Sequence, residues 1–155
     1  MSAQKILLDK YGEPGAAYQS KHCVLWKIQE DFPWFANVLN TATDDPDDYV
    51  VNVLINKDFK NKLMVAFKNL EKAGCHKEIT NYDGCYNSRT VRGRNSTSLH
   101  AWAVAIDLNA EKEKLAQKNT HWSGQFIAIM KAAGLFWGGD FKSRIDSMHF
   151  ALLNG

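Results

Sequence analysis

The chain has 155 residues, 45% of them hydrophobic and 23% charged, which suits one compact domain with its own core. That composition excludes disordered, collagenous and disulfide-knot proteins. With 19 Lys and Arg against 17 Asp and Glu the net charge is +2, too weak a field for nucleic acid or an anionic membrane to be the main partner.

The first residues, Met1 to Asp9, contain an apolar stretch too short and too charged for a signal-peptide core. Nowhere does the chain approach the roughly 20 apolar residues that cross a bilayer. The expectation is a soluble protein made in the cytoplasm without a signal peptide. Cys23, Cys75 and Cys85 are odd in number and irregular in spacing, which fits a reducing compartment better than a disulfide framework. Residues 1–50 show no clear period and read as an irregular segment wrapped around the core, with Gly12-Glu13-Pro14-Gly15 as a turn. Asp44-Asp45-Pro46-Asp47-Asp48 lacks the alternating ligands and closing Glu of a calcium loop and reads as a solvated acidic turn.

A strand is expected over Tyr49 to Ile55, and after it Asn56 caps a helix carrying Leu63, Phe67 and Leu70 inward until Gly74. From Ile79 to Asp107 short extended pieces alternate with polar, glycine-containing connections, and Val104 to Leu108 forms the last of them. A second helix starts at Ser123, buries Phe126, Ile127, Ile129 and Met130, and closes at Gly134; a terminal strand runs from Met148 to Leu153. The connections are too short for repeated parallel crossovers. The expected fold is therefore α+β, a single domain over 1–155 with a central antiparallel sheet flanked by helices.

Two of the five histidines keep unusual company. His100 stands seven residues before Asp107, and His149 three after Asp146. Strand alternation turns Asp107 away from the apolar face formed by Val104, Ile106 and Leu108. The odd separations put His100 in a bend before that strand and Asp146 in the turn before the last one. Two His and one carboxylate make a complete zinc set for a hydrolase, with a fourth position left to water. Periodicity alone favours the plainer reading of two buried histidines, each paired to an Asp.

Three blocks in order carry a family resemblance: Ser98-Leu99-His100-Ala101-Trp102-Ala103-Val104-Ala105-Ile106-Asp107, Phe136-Trp137-Gly138-Gly139-Asp140, and Asp146-Ser147-Met148-His149-Phe150. With Gly84 to Arg89 and the Arg92-Gly93 that follows, the sequence resembles the D-alanyl-D-alanine carboxypeptidase-like zinc peptidases, over residues 50–153. It is most similar to their phage endolysin branch of L-alanyl-D-glutamate peptidases. The resemblance implies a hedgehog/D-Ala-D-Ala peptidase-like fold, Zn2+ held by His100, Asp107 and His149, and Asp146 as general base. It implies that Arg89 contacts the substrate carboxylate or carbonyl oxygen, with Arg92 and Arg94 as competitors. Ser98, Trp102 and Trp137 are candidates to line the substrate groove, with core packing the better reading for at least one of the two tryptophans.

The substrate so implied is a peptidoglycan stem peptide, cut by a monomer that reaches the wall through a separate pore-forming protein. Release of terminal D-alanine by a carboxypeptidase or dipeptidase is the alternative within the same chemistry, and a weakly active or inactive metal-binding wall module the alternative of another class. Two departures motivate the last. Ala103 stands where the family has Gly, and Ala151 where relatives carry Glu or Gln.

Overall fold

The computed structural model describes residues 1–88 and 97–155. Among the described residues five α-helices, α1 (Ala3–Tyr11), α2 (Ala16–His22), α3 (Ile28–Asp31), α4 (Lys57–Ala73) and α5 (Gly124–Ala132), accompany two sheets. Strands β1 (Cys23–Lys27) and β3 (Asn52–Asn56) pair antiparallel as a two-stranded ribbon. The larger sheet runs β2 (Leu39–Asn40), β4 (Asn81–Gly84), β5 (Ala105–Leu108), β7 (His149–Ala151), β6 (Phe136–Trp137) in spatial order.

The α+β class stands, and the central sheet is antiparallel from β4 through β5 and β7 to β6. Its first pair is not: β2 lies parallel to β4. The reason is the connection, since the chain leaves β2, forms β3 and the long α4, and returns to the same end. A hairpin cannot do that, whereas a crossover this long can.

Helix α4 forms where the pattern predicts it. The Asn56 side chain accepts from the backbone N–H of Asp58 at 2.8 Å and of Phe59 at 3.0 Å, and Gly74 ends the helix at φ 74°. Phe59, Leu63, Ala66, Phe67 and Leu70 are its buried stripe. Ser123 caps α5 by accepting from Phe126 N–H, which buries Phe126, Ile127 and Met130.

Residues 1–50 are more regular than expected, holding three helices and two strands. Their periods are hard to read because α2 and α3 span seven and four residues, too few for an apolar stripe to repeat. Trp26, Phe32 and Phe35 are buried and meet Phe67 of α4 ring to ring at 5.6–6.4 Å. The buried residues join in one continuous core. Among the described residues no helix is long and apolar enough to cross a membrane.

Candidate metal centre

Asp107 and His149 are brought together by sheet register: they are direct partners across the antiparallel β5–β7 pair. His100 arrives from a different device. Ser98 caps a 3-10 turn, Leu99–Trp102, its hydroxyl accepting from His100 N–H at 3.2 Å. Ala103 then reverses the chain into β5 in the left-handed conformation, φ 54° and ψ 38°. The alanine adopts the backbone geometry that glycine favours.

The three side chains converge. Nε2 of His100 lies 3.2 Å from Oδ2 of Asp107, and Nδ1 of His149 lies 3.4 Å from Oδ1 of the same carboxylate. Among the described residues, His100, Asp107 and His149 are the one His/Cys/Asp/Glu group arranged to hold an ion, their donor atoms within 4.8 Å of one another. The two histidines therefore share one Asp between them, which departs from the pattern of two separate His–Asp pairs. Burial alone would raise the Asp107 carboxyl, yet the charge of His100 close against it, with His149 on its other side, holds it well below the usual carboxylate range.

The donor set suits a divalent metal. Nδ1 of His100 is 2.7 Å from the Cys85 carbonyl oxygen. A carbonyl only accepts, so Nδ1 keeps its proton, and Nε2, the nitrogen facing the cluster, is the one that would give up its proton to offer a lone pair to a metal. Oδ1 of Asp107 is buried without a hydrogen bond, an arrangement that is costly in a dry core and ordinary for a ligand atom. All three residues are at most 8% exposed.

Asp146 lies outside the β-ladder, in the turn before β7 as its spacing requires. Its Oδ2 is 4.0 Å from Nδ1 of His149, and its side chain retains 23% exposure. The turn is set by Gly138, whose carbonyl accepts the Asp146 N–H at 2.9 Å. A Cβ on Gly138 would collide with the Asp146 carbonyl oxygen and crowd His149 Cβ. The first glycine of Phe136-Trp137-Gly138-Gly139-Asp140 is there for close approach.

The cluster forms part of the lining of a cavity of about 530 Å³. Ser98 lines it as expected, though its hydroxyl also serves as the cap of the His100 turn. Trp102 does not line it. At 1% exposure it belongs to the core, with its indole N–H donating to the Gly12 carbonyl at 3.0 Å and its own carbonyl accepting from Tyr18. Trp137 is half-buried, absent from the lining, and directs its indole N–H to the Ser147 carbonyl. Arg89, Arg92 and Arg94 lie outside the described residues.

Sequence reasoning missed part of this wall. Gln4 of α1 lines the cavity and donates to the Thr97 carbonyl, and Lys142 and Arg144 line it from the turn after Gly139. No periodic signal marks Gln4, whose place follows from packing of α1 against the 3-10 turn. Lys142 and Arg144 were readable as cationic neighbours of Asp146.

The fold and the cluster together define an α+β protein with a buried His–Asp–His centre open to a cavity. Residues 92–152, less than half of the chain, match the family model described as D-alanyl-D-alanine carboxypeptidase. That span holds all three residues of the cluster and Asp146. The similarity supports a peptidase, a hydrolase of peptide bonds.

Proposed function

We propose that the chain is a zinc-dependent peptidoglycan peptidase that cuts the L-alanyl to D-glutamyl bond of stem peptides, acting as a phage-type endolysin. The observation that carries the reading is the His100–Asp107–His149 cluster in the wall of a cavity with Asp146 beside it. His100 through Nε2, Asp107 through its carboxylate and His149 would hold the ion. Zinc in such a site supplies a Lewis acid and a water whose pKa falls toward about 7.

This chain's residues do the rest. Asp146 takes the proton of the attacking water and passes it to the leaving amine. Arg89 is proposed to face the substrate oxygen, where a fixed cation stabilises the charge that develops in the tetrahedral intermediate. Lys142 and Arg144 on the cavity wall suit a peptide bearing carboxylates. Ala151 does not weaken the site in this reading: it is wholly buried and faces Ala105 across the β5–β7 pair. The enzyme acts as a monomer, made in the host cytoplasm, and reaches the wall through a separate pore-forming protein.

A second reading, release of terminal D-alanine, is favoured by the description of the matching family. Digestion of purified peptidoglycan with the zinc-loaded protein, with and without chelator, separates the two by mass spectrometry of the fragments. New N-terminal D-glutamyl ends are expected, and chelator abolishes them. Free D-alanine instead supports the second reading, and no product with zinc bound overturns both.

A further inference from the structure

We infer that the indoles of Trp122 and Trp137 are positioning groups that aim Asp146 by clamping one peptide carbonyl, that of Ser147. The inference rests on the reading of Asp146 as the base. Nε1–H of Trp122 donates to the Ser147 oxygen at 2.9 Å and Nε1–H of Trp137 at 2.8 Å, so both lone pairs of one carbonyl are used. Ser147 itself is 1% exposed. The donors come from separate parts of the fold, Trp122 from the segment before α5 and Trp137 from β6.

Each indole is itself fixed. Trp122 stacks on Phe126 at 4.2 Å with an interplanar angle of 7°, and it meets Phe150 edge-on. Trp137 lies over Gly139, where any Cβ would collide with its ring, and Lys131 Nζ sits 5.6 Å from its centroid while pairing with Asp140 at 2.6 Å. This explains the second glycine of the Gly138-Gly139 pair.

The clamp acts unequally on the two functional side chains beside it. His149 is a strand residue, held by the β5–β7 register through Asp107↔His149 and Ile106↔Phe150, and β6 braces the other edge of β7. Asp146 has no ladder to hold it. Its backbone is set by the bond to the Gly138 carbonyl, by the His149 N–H that its own carbonyl accepts at 3.1 Å, and by the orientation of the next peptides. Loosening the Ser147 carbonyl therefore moves Asp146 and leaves His149 in place.

Trp137→Phe removes one donor, keeps a ring over Gly139 and leaves Trp122 bonded to Ser147. A general base contributes about 10²–10⁴-fold, and one that is displaced rather than removed loses a part of that, on the order of 10-fold in kcat. In the zinc-loaded protein acting on a stem-peptide fragment, kcat is expected to fall by about that factor, with KM and zinc affinity within about 2-fold. In an Asp146→Asn background the same substitution has no further effect. Amide hydrogen exchange gives a readout independent of turnover: Trp137→Phe speeds exchange at Asp146 and leaves Phe150 and Ala151 unchanged.

An equal loss in the Asp146→Asn background, a parallel loss of zinc affinity, or exchange that quickens equally through β7 overturns the clamp. Normal activity of Asp146→Asn overturns the base assignment instead, and the exchange measurement then still decides whether the indoles fix this turn.

Discussion

Asp107 is the residue on which the site depends, because one carboxylate faces two imidazoles and the oxygen nearest His149 has no hydrogen bond. Replacing a proposed ligand and replacing the proposed base therefore have separable outcomes. His149→Ala is expected to lose both bound zinc and turnover, measured by metal analysis and peptidoglycan digestion. Asp146→Ala is expected to keep zinc and lose about 10²–10⁴-fold in kcat. Near-normal turnover of Asp146→Ala removes the residue from the mechanism. Ala103 offers a test on stability: at φ 54° an L side chain is strained, so Ala103→Gly should stabilise the fold by up to about 1 kcal/mol in denaturant unfolding. An unchanged or lowered midpoint means that the extra chain entropy of glycine cancels the relief of strain.

At the scale of elements, the site is an assembly of one strand pair and two turns, and the turns carry the sequence blocks that resemble a family. Gly138 is the sharpest case. Its missing Cβ lets the chain of the 3-10 turn after β6 approach Asp146 and His149, so Gly138→Ala must shift the turn, β6 or both. Loss of turnover and a drop in stability of a few kcal/mol are expected together, since overpacking of a closed site typically costs about 1–3 kcal/mol. Helix α4 is a separate unit. Asn56→Ala removes its cap and the bond to Tyr18, and should lower stability by about 1–2 kcal/mol while the zinc affinity stays unchanged. A loss of zinc binding in that variant would mean that α4 and the cluster are more tightly coupled than the cap contacts indicate.

For the molecule as a whole, the candidate ligands sit on β5, β7 and the 3-10 turn, so a metal held by them would be tied to folding. Zinc at 100 times its Kd adds about 2.7 kcal/mol, so chelator should lower the melting temperature by several degrees, read by calorimetry at fixed protein concentration. An identical transition with and without chelator rules out a folded-state metal site here.

Helix α4 was legible from Asn56 to Gly74 because capping residues and apolar period agree, and α5 from Ser123 for the same reason. The bends holding His100 and Asp146 followed from parity, as odd separations cannot share a strand face. The elements of residues 1–50 were not legible, because short helices repeat no period and draw their order from aromatic packing on α4. The parallel β2–β4 pair was hidden as well, since pairing across some forty residues leaves no local mark. Residue types and spacing by themselves pointed to the α+β class and singled out His100, Asp107, Asp146 and His149, while grouping three of them as one metal set came from the family resemblance. Only the tertiary structure decided that both histidines meet one Asp, that Trp102 is core and that Trp137 turns to Ser147. Those outcomes depend on cross-strand register and on which backbone groups lie within hydrogen-bonding distance, and local sequence specifies neither.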